Sequence, residues 1–140
     1  MAVFENTEKM YEVLGKLFTT LVKDPSVGPQ FVEADIIIKF LIDNPSGEIW
    51  LSPQNNGEVI CGSTSLAPTI EMALSGDTCH KFWLQEVSMP VALAKGLIKA
   101  KGPLPKVLKL LPLLKPAYAA YPDIAKEHGL AIEGKKEGKA

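Results

Sequence analysis

Residues 69–102 read TIEMALSGDTCHKFWLQEVSMPVALAKGLIKAKG, and the reading of the fold turns on this stretch. Its first residues alternate, with Ile70, Met72 and Leu74 on one side and Thr69, Glu71 and Ala73 on the other. That is the period of two expected of a strand with one apolar face. Pro68 and Gly76 bound this strand, and Asp77 is placed to cap the helix that follows. From residue 78 the period lengthens, so that Cys79, Phe82 and Trp83 share a helical face. Ser88-Met89-Pro90 then starts a second short helix, with proline in its first turn. Residues 96–102 return to period two, Ile98 and Ala100 against Leu97, Lys99 and Lys101. Two strands of a sheet are thus joined through two short helices.

Upstream, residues 6–23 place Met10, Val13, Leu14, Leu17, Phe18 and Leu21 at spacings of three and four, with Asn6 or Thr7 as cap and Glu8 near the positive end. This helix stops before Asp24-Pro25. Residues 34–43 alternate again, Ile36, Ile38, Phe40 and Ile42 against Asp35, Ile37, Lys39 and Leu41. Asn44-Pro45-Ser46-Gly47 makes a turn, residues 48–52 return, Gln54-Asn55-Asn56-Gly57 makes a second hairpin turn, and residues 58–65 form a third strand carrying Val59 and Cys61 on one face. These three strands read as an antiparallel meander. Downstream of Pro105 the pattern is helical but broken at Pro112 and Pro116, which predicts two or three short pieces ending near Tyr121-Pro122. A chain of 140 residues, 46% hydrophobic and 22% charged, fits one domain over residues 1–140 with residues 134–140 as a flexible tail.

Composition narrows the function. Cys61 and Cys79 match neither a zinc spacing nor a disulfide framework and are read as reduced thiols. All 15 basic residues are lysine, and the absence of arginine removes the side chain best suited to reading guanine edges or phosphates, so nucleic acid is not an expected partner. The first residues show no basic region leading into an apolar run, and the last four, Glu-Gly-Lys-Ala, are not a Ser-Lys-Leu-type address, so a cytoplasmic location is expected. The apolar stretch 87–114 is interrupted by Lys95, Lys99, Lys101, Lys106 and Lys109 and by prolines, which excludes a transmembrane helix. Charge is segregated: residues 87–122 hold these lysines and Lys115 with no acid, while the acids concentrate before residue 87.

No catalytic constellation emerges. Cys79 and His80, beside Asp77, are neighbours on a helix and point about 100° apart, out of reach of each other. Glu5, Glu8 and Glu12 share a helix face and read as a solvated surface, so no metal is implied. His128 before Gly129 fits a helix C-terminus. The expectation is a protein that is not an enzyme and needs no cofactor.

The strand Thr69-Ile70-Glu71-Met72-Ala73-Leu74-Ser75, the Gly76-Asp77 helix start, residues 90–93 and the run Gly96-Leu97-Ile98-Lys99-Ala100-Lys101-Gly102 together resemble the sterol carrier protein (nonspecific lipid-transfer) domain. That family's last strand typically reads Gly-Lys-Leu-Lys-Ile-x-Gly and precedes a helix rich in Leu and Lys. Here Lys106-Val107-Leu108-Lys109-Leu110-Leu111 stands in that place. The resemblance spans roughly residues 35–114, and departs from the family in the prolines of the last helix and in the stretch through Tyr118, Tyr121 and His128.

It implies an α+β fold, a mostly antiparallel five-stranded sheet covered on one face by helices, with an apolar tunnel between them for a sterol, fatty acid, acyl-CoA, phospholipid or isoprenoid. Phe40, Met72, Phe82, Trp83, Ile98, Leu108 and Leu111 are the candidate lining residues. For any one of them ordinary core packing is the simpler account. Lys106, Lys109 and Lys115, interleaved with leucines, are candidates to face an anionic membrane, against the plainer reading of a helix with leucines on the sheet and lysines in water. Two functions follow: a lipid carrier, or an accessory subunit, dimeric or docked on an enzyme, that presents a hydrophobic intermediate. In the second, Trp50 and the pair Tyr118 and Tyr121 would form the contact surface. Trp50 itself is read as either facing a partner or covered by the N-terminal helix.

Overall fold

A computed structural model describes residues 3–52, 57–109 and 111–130. Helix α1 (Thr7–Lys23) begins where Asn6 accepts the Lys9 amide at 2.8 Å, with Glu8 in the first turn and Lys23 in the last. Its expected apolar stripe is buried in full, from Met10 to Leu21. The chain then folds into α2 (Gly28–Ala34), which alternation did not reveal. Pro29 fits its first turn, and Asp35, at φ 55°, ends it in the left-handed conformation that a short polar side chain tolerates. The strand expected from residue 34 therefore starts only at β1 (Ile38–Asp43).

Strands β2 (Gly47–Ser52), β3 (Glu58–Cys61), β4 (Ile70–Ser75) and β5 (Lys99–Lys101) complete a sheet of order β3-β2-β1-β4-β5. The meander β1-β2-β3 and the pair β4-β5 are antiparallel, as expected, while β1 and β4 run parallel with Phe40 beside Met72. Residues 53–56, most of the second expected hairpin turn, lie outside the described residues. Ile38, Phe40, Ile42, Ile49, Leu51, Ile70, Met72 and Leu74 face one side and merge with the helices into a single apolar core.

The opposite face carries charged side chains. Glu71 meets Lys39 at 3.5 Å and Lys101 at 3.9 Å. Trp50 also lies on this face, one residue out of phase with Ile49 and Leu51, and is only 3% exposed. The Lys39 ammonium sits 5.3 Å from its ring centre, and its Nε1 donates to Glu48 Oε1 at 3.2 Å. Trp50 is thus neither turned to a partner nor under α1. The connection 62–69 carries the chain from beside Glu48 to beside Ile37, and with helices on the inner face its path is across this outer one.

Helix α3 (Gly76–Trp83) follows β4 without a loop. Its cap is Ser75, whose Oγ accepts the Thr78 amide at 3.0 Å, and not Asp77. Asp77 instead accepts the Val3 amide at 2.8 Å and ties the N-terminal segment to this helix. Next come α4 (Met89–Ala94, capped by Ser88), α5 (Leu104–Lys109), the 3-10 helix Leu111–Leu114 and α6 (Lys115–Glu127). The last of these does not stop at Tyr121-Pro122. Proline inside a helix costs about 3 kcal/mol, but Ala117, Tyr121, Ile124 and Ala125 are buried around Pro122, and that burial outweighs the lost hydrogen bond. His128 caps the end, its Nδ1 donating to the Ile124 carbonyl at 2.9 Å, and Gly129 follows at φ 75°. The expected tail, residues 134–140, lies outside the described residues.

The direct passage from β4 into α3 requires glycine. A Cβ on Gly76 would stand 2.7 Å from the Asn44 carbonyl oxygen and 3.1 Å from Pro45 Cδ, neither of which is free to swing aside. Gly76→Ala is therefore expected to destabilise the fold by about 1–3 kcal/mol, the range for overpacking a tight site. Urea unfolding measures it, and an unchanged midpoint would contradict the contact.

Candidate functional site

Between the inner face of the sheet and the helices lies a cavity of about 40 Å³. Phe18, Leu21 and Val22 of α1 and Phe31 of α2 form one wall; Ile38, Phe40, Leu51 and Met72 form the floor. Phe82 and Trp83 of α3, Met89 of α4 and Leu113 and Leu114 of the 3-10 helix close it. Every lining side chain is apolar or aromatic.

The cavity is small because aromatic rings occupy the space. Phe18 stacks on Phe40 at 4.8 Å with the rings 10° from parallel, and Trp83 meets Phe18 edge-on at 5.6 Å and Phe82 at 4.8 Å. Tyr118 adds a further layer, 5.7 Å from both Phe82 and Trp83. Ligand pockets measure roughly 300–1,000 Å³. The cavity among the described residues is far smaller than that range.

Phe40, Met72, Phe82 and Trp83 are brought together as the sequence suggested. Ile98 is buried, 2% exposed, but is not among the residues that line the cavity. It precedes the three-residue β5, whose Ala100 pairs with Met72, so its side chain joins the core beside that edge. The side chains of Leu108 and Leu111 lie outside the described ones; Leu113 and Leu114, just beyond them, reach the cavity. Sequence reading missed Phe31, because α2 was not recognised, and Met89, which opens α4 after the Ser88 cap. The apolar spacing of α1 had already grouped Phe18 and Leu21 on the correct face.

The polar groups around this cavity are placed for structure. Trp83 Nε1 is buried with no hydrogen-bond partner. Burial pushes the Cys79 thiol up to about 12; the nearby Trp83 N–H pulls the other way, without completing a hydrogen bond. His80 Nδ1 lies 2.6 Å from the Tyr121 hydroxyl, which links α3 to α6, and burial raises the Tyr121 pKa far above the usual phenol range. Asp77 and His80 therefore serve separate contacts, and Cys79 is buried in the core. Among the described residues no cluster of His, Cys, Asp and Glu is placed to hold a metal, and no helix is long and apolar enough to cross a membrane.

Lys106, Lys109 and Lys115 are exposed. Tyr121 is fully buried and Tyr118 half-buried, so with Trp50 they do not form the contact surface considered above. The large apolar side chains that do reach solvent include Leu41 (39% exposed) and Leu97 (42%), which share a concavity at the outer face of the sheet.

No protein-family model matches the chain, and no curated protein matches it. Solved structures do. Sterol carrier protein domain 2 of Helicoverpa armigera superposes with a TM-score of 0.65 at 16% identity, over 82% of this chain and 91% of that one. Sterol Carrier Protein 2 of Yarrowia lipolytica, in its apo form, gives 0.60 at 24% identity over 75% and 89%. Aedes aegypti Sterol Carrier Protein-2, solved with the C16 fatty acid palmitate, gives 0.57 at 16% over 76% and 94%. The chain has the sterol carrier protein fold.

In this sterol carrier fold the two cysteines occupy opposite environments, and their reactivity should differ accordingly. Cys61 is exposed on β3, with its pKa raised only by partial burial, whereas Cys79 is sealed in the core. At pH 8 a thiol titrating near 12 is ionised to roughly one part in ten thousand. Iodoacetamide should modify Cys61 alone in the folded protein and reach Cys79 only in denaturant. Equal labelling of both sites without denaturant would contradict the core placement.

Proposed function

We propose that this chain binds a single apolar lipid chain between sheet and helices and carries it unchanged. The observation that supports this reading is the cavity itself: internal, wholly apolar, and closed on one side by the slightest elements of the fold. Leu113 and Leu114 sit in a four-residue 3-10 helix that follows the six-residue α5. Helices this short do not hold themselves. Pro103, Pro105, Pro112 and Pro116 withhold backbone donors from the same region. Moving this wall outward is the cheapest way to enlarge the cavity.

The driving force is adequate. Each buried methylene contributes about 0.8 kcal/mol, so a sixteen-carbon chain gains on the order of 10 kcal/mol before the costs of ordering and of displacing the wall. The palmitate held by the Aedes aegypti protein of this fold supports an acyl ligand here. Transport without catalysis is supported by the protonated, buried state of Cys79 and by the engagement of His80 with Tyr121. The exposed Lys106 and Lys109 on α5 give the opening wall a cationic surface, worth about 1 kcal/mol per lysine at an anionic leaflet.

Native mass spectrometry of protein made in a heterologous host should show one lipid-sized adduct per chain. Protein that stays bare after incubation with palmitate, sterol and phospholipid would overturn the reading. In a vesicle assay, the double change Lys106→Glu and Lys109→Glu should slow transfer to anionic vesicles by at least about tenfold at low salt, and the difference should fade at 1 M salt. Equal rates at low salt would leave these lysines as a solvated face only.

A further inference from the structure

Another concavity, of about 330 Å³, lies on the surface where α4 meets α6. Gln85, Ser88, Met89, Lys115 and Tyr118 are among its walls. Met89 borders both this groove and the internal cavity. Tyr118, half-buried, packs against Phe82 and Trp83, the cavity wall behind it. At Met89 a single side chain therefore separates this groove from the apolar interior, while at Tyr118 the rings of Phe82 and Trp83 lie between. Methionine is unbranched and adapts its shape readily, which suits a side chain that must move aside.

The groove also has a definite electrostatic character. Lys115, the first residue of α6, is its one charged wall residue, and among the described residues no acid pairs with it. Gln85 and Ser88 are neutral and polar; the exposed Glu86, between Gln85 and Val87 in sequence, is not among the walls, and residues 87–122 contain no acid. Gln85 is held at φ 66°, in the left-handed region that residues with a side chain seldom adopt. A cation with neutral hydrogen-bonding groups at the mouth, and a wholly apolar space beyond, is the complement of one class of molecule: a long hydrocarbon chain ending in a carboxylate.

We propose that the groove between α4 and α6 is the portal of the lipid site, with Met89 and Tyr118 as its door and Lys115 as the seat of the head group, and that the cargo is a long-chain fatty carboxylate. The assignment rests on the carrier reading above and adds the route and the polar end of the ligand.

The test compares a pyrene-tagged C16 carboxylic acid with its methyl ester on the full chain, at low salt. Lys115→Glu should weaken the acid by tenfold or more and leave the ester within about twofold. Lys109→Glu, the same charge change one helix earlier, should shift the two ligands alike and by less. Tyr118→Ala should speed association and release of both several-fold. If wild type binds both ligands and Lys115→Glu affects neither, affects both equally, or matches Lys109→Glu, the portal and head-group assignment falls while the carrier reading stands. Wild-type protein that binds neither ligand would overturn both.

Discussion

The face-to-face contact of Phe18 with Phe40, ring centres 4.8 Å apart, joins the N-terminal helix to the central strand and sets how far the helices stand off the sheet. Phe40 is paired with Ile49 on one side and Met72 on the other, so the contact is anchored in the middle of the sheet and not at its edge. Trp83 and Phe82 close around Phe18, and Tyr118 brings α6 against them. His80 and Tyr121 then fasten α3 to α6 from behind. Helices α3 and α6 are thus positioned against the ring cluster that this stack begins.

That arrangement places stability and capacity in competition. Protein interiors are close-packed, and here the aromatic cluster occupies much of the space that the proposed lipid would need. The same side chains cannot both pack on one another and surround an acyl chain. The conflict is resolved if the flank of the cluster moves and its centre does not. Phe18, Phe40 and Trp83 belong to long or central elements with caps and paired neighbours, whereas Leu113 and Leu114 belong to the shortest helix among the described residues. The proposed site thus sets aromatic rings on longer elements against an aliphatic wall on short ones.

Much of this was legible in the sequence where burial is one-sided. Strands β1 and β4 alternate cleanly because one face meets the helices and the other carries Lys39 and Glu71, and the spacing of α1 reports its single buried stripe. Phe40, Met72, Phe82 and Trp83 could therefore be grouped. Local rules failed where tertiary contacts override them: Pro122 sits within α6 because its neighbours are buried, and Ser75 takes the cap because Gly76 allows β4 to approach the Asn44 turn. The seven residues of α2 were too few to show a period, which hid Phe31. Whether apolar faces enclose a space or fill it depends on ring placement at the scale of an ångström, and periodicity carries no such information.

The two tryptophans lie on opposite faces of the sheet, Trp83 in the cavity wall and Trp50 sealed on the outer side, so they can report where the proposed lipid sits. A palmitate analogue brominated along its chain quenches indole fluorescence only on near contact. In the Trp50→Phe variant, where Trp83 is the sole emitter, titration with this lipid should quench the emission to saturation at one equivalent; in Trp83→Phe it should leave Trp50 emission unchanged. Quenching of Trp50 with Trp83 unaffected would place the lipid on the outer face and contradict the account.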